Sequence, residues 1–368
     1  MTTKTPTLFP NYNQMNQRVP QMIWNISRFL TVGIGYGLII TSFTRPQAAL
    51  FIFWRMIVPV LPILFFIAPG IWRNICPMGA LNQTPRMFKF GRALTLPNWL
   101  KNYAPLISVI LFIIIVPTRK ELFNSSGPAL GLLLLAAFTA ALVGGYFFKG
   151  KSGWCSTLCP LLTVERLYGQ TPFVTVPNNY CKPCVGCVKN CYDFNPALSN
   201  IADQYDTDPR AKNFRRLFAG AFPGLILAFY ILPDAPQINM ISLYSGIALF
   251  MLMSLGIYLL LASLLKSSSG RLTALFGAIA LNYFYIFNLP IAADTIHQLF
   301  GITIPTLAVW GTYLVIFVLS GIWLYRTYRK ENGYVPVAKL RTSEMRRVRS
   351  VKPATTIDPI LDTRPSYR

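Results

Sequence analysis

Histidine and acid are scarce in this sequence. Of 368 residues one is His and 12 are Asp or Glu, against 34 Lys and Arg. A single imidazole, His297, excludes a bis-histidine haem carried within this chain. Charge of either sign makes up only 12% of residues, while 53% are hydrophobic and the mean hydropathy is +0.45. That balance is too apolar for an ordinary soluble domain and points to several membrane spans. No Gly-x-Gly-x-x-Gly follows a predicted strand. The run Gly33-Ile-Gly35-Tyr-Gly37 lies inside an apolar stretch, where close helix packing accounts for it, so a flavin or nicotinamide would belong to another subunit. No cleavable signal peptide is evident either. The first 20 residues are polar and rich in Pro, Asn and Gln, and the apolar run after them is of spanning length and would serve as its own insertion signal.

What is present is long hydrophobic runs. Eight are expected to span, at 22–43, 49–72, 105–117, 130–148, 217–233, 241–265, 272–289 and 304–325, the third and fifth short as drawn. The third is open to extension into the amphipathic stretch 94–103, and Pro223 is placed to kink the fifth. The fold class expected is all-α: a polytopic membrane protein of about eight transmembrane helices with a cytoplasmic, ferredoxin-like cysteine loop. Its parts are a cytoplasmic N-terminus (1–21), a four-helix half (22–148), an iron–sulfur loop (149–216), a second four-helix half (217–325) and a basic tail (326–368).

The net charge of +22 would suggest nucleic acid in a soluble protein. Here the segments 1–21, 73–104, 149–216, 266–271 and 326–368 hold 29 of the 34 Lys and Arg, so topology and anionic lipid account for the excess and no nucleic-acid partner is expected. The positive-inside rule places both termini and every cysteine at the cytoplasmic face of a bacterial inner membrane or an equivalent energy-transducing membrane. A reducing compartment disfavours structural disulfides and leaves thiolates free for metal.

Six of the seven cysteines fall between Cys155 and Cys191. The run Cys181-Lys-Pro-Cys184-Val-Gly-Cys187-Val-Lys-Asn-Cys191 spaces four thiols by two, two and three residues, which suits one [4Fe-4S] cube. Tetrahedral zinc is the competing occupant, although zinc sites more often use two separated pairs. Upstream stands Trp154-Cys155-Ser-Thr-Leu-Cys159-Pro160, and the seventh cysteine, Cys76, also precedes proline. Shifting the chain by 83 residues superposes Cys76-Pro77 on Cys159-Pro160, Gly70 on Gly153 and Ile75 on Leu158, with Trp72 where the second copy has Cys155. This reads as two helical hairpins, each closed by a Cys-Pro turn; a generic membrane-exit turn would look similar.

On these motifs the stretch 49–196 resembles the polytopic membrane ferredoxin-type proteins related to the periplasmic nitrate reductase quinol-oxidase component, the nitrous oxide reductase regulator and the cytochrome oxidase assembly ferredoxins. Members of that group usually carry two Cys-x3-Cys-Pro turns and two complete ferredoxin motifs; this chain has one full turn, one half turn and one motif. The resemblance implies electrons moving between the membrane quinone pool and a redox protein partner, or delivered to a metalloenzyme being matured.

Two ligation schemes are open. In one, Cys181, Cys184, Cys187 and Cys191 close around a single cluster. In the other, Cys159 completes Cys181, Cys184 and Cys187, and Cys191, Cys155 and Cys76 hold a second, incompletely cysteine-ligated cluster, since seven cysteines cannot supply eight thiolates. Alternatively Cys155 and Cys159 are buried thiols or a reversible dithiol, and Cys76 a packed one.

Lys149, Lys151, Lys182 and Lys189 flank the motifs; they would raise a cluster's potential and attract an acidic partner, or simply lie at the membrane surface. Glu165 and Arg166 are expected to pair locally on a short interfacial helix. Polar candidates for a quinone head group are Asn282, Tyr283, Tyr285 and Arg55, each with a simpler role as an interfacial or snorkelling residue. The tail beyond Tyr325, rich in Pro, Ser, Thr and basic residues, is expected to have little fold of its own.

Overall fold

The computed structural model describes residues 18–180, 191–193, 199, 210–234, 238–265 and 269–350, the side chains of 211, 269 and 331–350 apart. The cysteines Cys181, Cys184 and Cys187 lie outside the described residues. Among those described the chain is helical, with no strand beyond an isolated Leu94–Phe148 bridge.

Eight helices are long and apolar enough to cross a membrane: Gln21–Thr44, Pro46–Ile67, Asn98–Phe123, Gly127–Phe147, Lys212–Ile231, Met240–Leu264, Gly270–Phe300 and Thr306–Lys330. The chain is therefore a multi-pass membrane protein. In full, α1 (Gln21–Thr44) is followed by α2 (Pro46–Phe51), a π-helical segment (Ile52–Ile57) and α3 (Val58–Ile67), which together make the second span. Short α4 (Pro69–Ile75) and α5 (Pro77–Met87) precede α6 (Asn98–Thr118), whose end is a second π segment, Arg119–Phe123. Then come α7 (Gly127–Phe147), α8 (Leu161–Tyr168), α9 (Arg210–Ile231), α10 (Met240–Leu264), α11 (Ser269–Phe300) and α12 (Thr306–Ser350).

Several limits differ from the hydropathy reading, each for a local reason. The second span stops at Ile67 because Ala68 leaves helical geometry (φ −146°, ψ 66°), and Pro69 starts α4 with its ring at the first helical turn, where a missing N–H costs nothing. The third reaches Asn98–Phe123, since Pro105 and Pro117 stay inside the helix, as proline can in a membrane span. Pro223 is likewise contained in α9, and Pro290 in α11, which continues to Phe300. The last helix runs on to Ser350, which corrects for 326–350 the expectation of little fold in the tail, while 351–368 lie outside the described residues: basic residues are good helix formers, and an existing helix needs no new nucleus to extend.

Packing places α11 at the centre. Of its most apolar stretch 61% is buried, against 11% for α10. The main core joins α3, α6 and α8 to α9–α12 through Phe65, Phe112, Leu167, Phe222, Leu281 and Trp323. A second core holds α1, α2, α5 and α7 together through Leu38, Leu50, Leu81 and Phe138. The two four-helix halves are thus not separate bodies, because α3 and α6 pack into the second. Between the cores, at the end where α1 begins and α3 and α7 finish, a small cluster forms around Trp154, Cys155, Cys159 and Leu162.

Candidate metal centre

Cys76 and Cys159 occupy matching places. Cys76 is the N-cap of α5, with Pro77 in the first turn, and Cys159 stands just before Pro160, the N-cap of α8. Two helix N-termini, with their partial positive charge, therefore carry a cysteine each. The Cys155–Cys159 turn is closed by the N–H groups of Leu158 and Cys159 donating to the Trp154 carbonyl at 2.9 and 3.0 Å, and is pinned to α6 where Ser108 Oγ donates to the Cys159 carbonyl at 2.6 Å. A Cβ on Gly153 would lie 2.1 Å from the Gly144 carbonyl oxygen, so only glycine lets this turn sit against α7.

The outcome is that Cys76, Cys155 and Cys159 line one cavity, together with Arg73, Lys151 and Glu165. The short echo along the chain thus corresponds to a meeting in space. None of the four described cysteines, Cys191 included, is in a disulfide. The three thiols nearly fill their own site, leaving about 10 Å³ for the centres of water-sized spheres. Among the described residues no three of His, Cys, Asp and Glu come close enough to hold one metal ion.

A buried ionic network forms the wall. Arg73 bonds Asp193 at both carboxylate oxygens, Nη2 to Oδ2 at 2.8 Å and Nε to Oδ1, and donates through Nη1 to Glu165 Oε2 at 3.0 Å and to the Cys155 carbonyl at 3.3 Å. Lys151 Nζ donates to the Arg73 carbonyl at 3.0 Å and pairs with Asp193 Oδ2 at 3.4 Å. Lys151 is 1% exposed, so it is no membrane-surface charge. Glu165 pairs across 92 residues with Arg73 rather than with its neighbour Arg166, which corrects the local pairing expected from sequence. The signal that could have revealed the network is the rarity of acid: Asp193 is two residues from Cys191 and Arg73 three from Cys76, in a chain with 12 carboxylates.

Both described flanks of the 181–190 stretch dock on this wall. On one side Asn179 N donates to Asn74 Oδ1 at 3.1 Å, Asn74 Nδ2 donates to the Pro177 carbonyl at 2.9 Å, and the Tyr180 hydroxyl donates to Asn25 Oδ1 at 3.1 Å. Gly70 admits the approach, since a Cβ there would stand 2.3 Å from the Val176 carbonyl oxygen. On the other side the Tyr192 hydroxyl donates to the Glu165 carbonyl at 3.0 Å, next to the Asp193 pair.

Burial pushes the Cys155 thiol up to about 12, against the pull of Arg73 and Lys151. Burial also raises Cys76, with the Gly79 N–H opposing, and Cys159 more strongly. Asp193 is buried as well, yet Arg73 and Lys151 hold it well below the usual carboxylate range. These thiols are therefore protonated in the metal-free chain, and metal binding must displace their protons.

Arg28, 5% exposed, lies over the Tyr180 ring with its guanidinium carbon 3.0 Å from the ring centre. It donates to the Asn74 carbonyl and to Gln83 Oε1, both at 2.7 Å, but among the described residues it meets no carboxylate and its Nη2 has no partner. Among the described residues the buried charges on this side are Arg28, Arg73 and Lys151 against Glu165 and Asp193, one positive charge in excess. An orphaned guanidinium nitrogen and one buried cation in excess, at the end of the bundle that carries the thiols, suit an anionic thiolate-ligated cluster.

The quinone candidates do not gather here. Tyr285 donates to the Pro59 carbonyl at 2.8 Å, Asn282 donates to Ser320 Oγ at 3.0 Å, Arg55 pairs with Asp294 at 2.6 Å, and Tyr283 packs on the main core. No protein-family model, no characterised protein and no solved structure matches the chain.

Proposed function

We propose that this chain is a membrane-bound iron–sulfur carrier that relays single electrons between the quinone pool or a membrane partner and a redox protein partner. Cys181, Cys184, Cys187 and Cys191 are the proposed ligands of one [4Fe-4S] cluster; Cys76, Cys155 and Cys159, which as placed do not come close enough to hold one metal ion, would have to rearrange around a second. The observation that carries the reading is that cysteines 83 residues apart line one buried cavity, with both flanks of the four-cysteine run docked on its wall. A bound cluster would supply reversible one-electron chemistry. The chain's own part is to hold thiolates at two helix N-termini, to keep water away with Trp72, Trp154 and Leu161, and to offset negative charge with Arg28, Arg73 and Lys151. The concentration of Lys and Arg on the segments sharing this end supports a cytoplasmic placement in a bacterial inner membrane, with both termini on that side.

Purification without oxygen, followed by iron, acid-labile sulfide and zinc counts and by EPR after dithionite, tests this. Four or more irons per chain with a reduced-cluster signal supports the carrier; zinc in their place would leave a structural site on a membrane scaffold or transporter. A midpoint potential too low for quinol, with electrons passing only to an apo-metalloenzyme, would favour an assembly factor.

A further inference from the structure

The turn that ends α5 carries charge without a counter-charge. Between residues 86 and 103 the sequence has Arg86, Lys89, Arg92 and Lys101 and no acid, and the first carboxylate side chain of the whole chain is Glu121. All four cations are exposed, and among the described residues none pairs with a carboxylate. Aromatic rings stand among them. Phe88 is 73% exposed, Phe90 53% and Trp99 61%, so basic and apolar side chains alternate from Arg86 to Arg92.

This exposure is built in. The N–H of Lys89 donates to the Arg86 carbonyl at 3.2 Å and that of Phe90 to the Pro85 carbonyl at 3.0 Å, the bonds of a Schellman cap, with Lys89 in the left-handed region at φ 59°. Glycine is the usual residue there, because a Cβ is strained at that φ. Here the position holds a lysine between two phenylalanines. Beyond the cap, the N–H of Arg92 donates to the Tyr146 carbonyl at 2.7 Å and that of Leu94 to the Phe147 carbonyl at 2.8 Å, which fastens the segment to the last turn of α7. The Arg92 guanidinium lies 5.8 and 5.6 Å from the ring centres of Tyr146 and Phe147. A fixed platform, rather than a slack loop, presents the rings and the cations.

Its depth selects the partner. α7 finishes at Phe147 and α6 begins at Asn98, so the turn sits where two spans leave the hydrocarbon, at the level of lipid headgroups. Aromatic rings settle at that boundary, and basic side chains beside them reach phosphate.

We propose that the α5 cap is a binding site for an acidic phospholipid of the leaflet at this end, with Arg86, Lys89 and Arg92 as the cations for its headgroup and Phe88 and Phe90 against its acyl chains. α5 presents Cys76 at its other end, so the lipid holds the helix on which that thiol is mounted. The site rests on the cap and the two spans, and is independent of what the thiols bind.

The test uses the full chain stripped of lipid in neutral detergent, with phosphatidylglycerol and phosphatidylcholine as probes. Native mass spectrometry counts retained lipid, and detergent melting is followed on the same samples. Saturable retention of phosphatidylglycerol over phosphatidylcholine is expected, falling in high salt. Lys89→Gly should weaken retention roughly fivefold, the share of one lysine at an acidic surface, while raising the melting temperature of the lipid-free protein, since glycine relieves the left-handed position. A purely structural role would not move the two readings in opposite directions. Phe88→Ser should weaken retention at low and high salt alike. Arg18→Gln, which removes another exposed cation at this end, should leave it unchanged. Equal retention of the two lipids, or retention that Lys89→Gly does not change, would overturn the site. Equal losses in Lys89→Gly and Arg18→Gln would reduce it to diffuse surface charge and overturn it as well. So would displacement of the lipid by polyglutamate at physiological salt, which would give the surface to an acidic protein.

Discussion

Asp193 grips Arg73 with both carboxylate oxygens, at a point where the two side chains are 2% and 6% exposed. This pair fastens the chain just past Cys191 to the chain just before Cys76, and so couples the four-cysteine run to the Cys-Pro turns. Removing one partner would leave a buried charge uncompensated, at a cost of about 3–5 kcal/mol. Asp193→Ala should therefore lower detergent melting sharply and lose iron during purification. Arg55→Ala breaks a pair that is 39% and 51% exposed, for which about 0–1 kcal/mol is expected. Equal melting shifts from the two variants would contradict the structural role assigned to Asp193.

The ligand assignments separate by single substitutions. Cys184→Ser should abolish the reduced-cluster EPR signal while the protein still inserts. Cys159→Ser should leave one cluster intact if the four-cysteine run is self-sufficient, and convert or remove it if Cys159 is shared. Because Cys76 lines the same cavity as Cys155 and Cys159, Cys76→Ser should give the same iron loss as Cys155→Ser. An unaltered iron count in both would return these thiols to packing roles.

Arg28 predicts a redox effect. Its guanidinium is buried, unpaired with any carboxylate among the described residues and hydrogen-bonded to Gln83 Oε1. Gln83→Glu keeps the shape and puts a negative charge on that bond. The field at the thiol cavity then becomes less positive, the reduced cluster is less stabilised, and the midpoint potential falls, by something on the order of tens of millivolts for one charge at an intermediate dielectric. Arg28→Gln should shift it in the same direction and Arg28→Lys hardly at all. Potentiometric EPR on iron-replete samples measures this; a potential that stays put in both Gln83→Glu and Arg28→Gln would show that Arg28 serves only to hold Asn74 and Tyr180.

Much of this was legible in the chain itself. Apolar runs mark the spans because every backbone group in hydrocarbon must be bonded within its own helix, so long hydrophobic segments have few alternatives. The pairing of Cys76-Pro77 with Cys159-Pro160 was visible as an offset, since proline after cysteine sets a helix start in both places. Side-chain partners over long separations were not visible: nothing local to Glu165 says that it meets Arg73, or that Lys151 is buried against Asp193. The apolar cavity behind the Cys159-Pro160 turn was equally hidden, because its lining residues have the same hydrophobicity as packed core.

Gly153 offers a test of how tightly the thiol turn is held. Its backbone and that of Gly144 approach so closely that a methyl group at 153 would overlap the Gly144 carbonyl oxygen, and a backbone atom in a helix cannot swing aside as a side chain can. Gly153→Ala should therefore push the Trp154–Cys159 turn off α7, at about 1–3 kcal/mol for overpacking. The displaced turn carries Cys155 and Cys159 away from Cys76, so iron should fall further than stability alone requires. Gly256→Ala, at a position with open space around the added methyl, is the matched control and should change neither. Iron per chain and detergent melting, measured side by side on the two variants, decide the matter: a Gly153→Ala protein with full iron would mean that the turn tolerates displacement and that its cysteines are not held in register by α7.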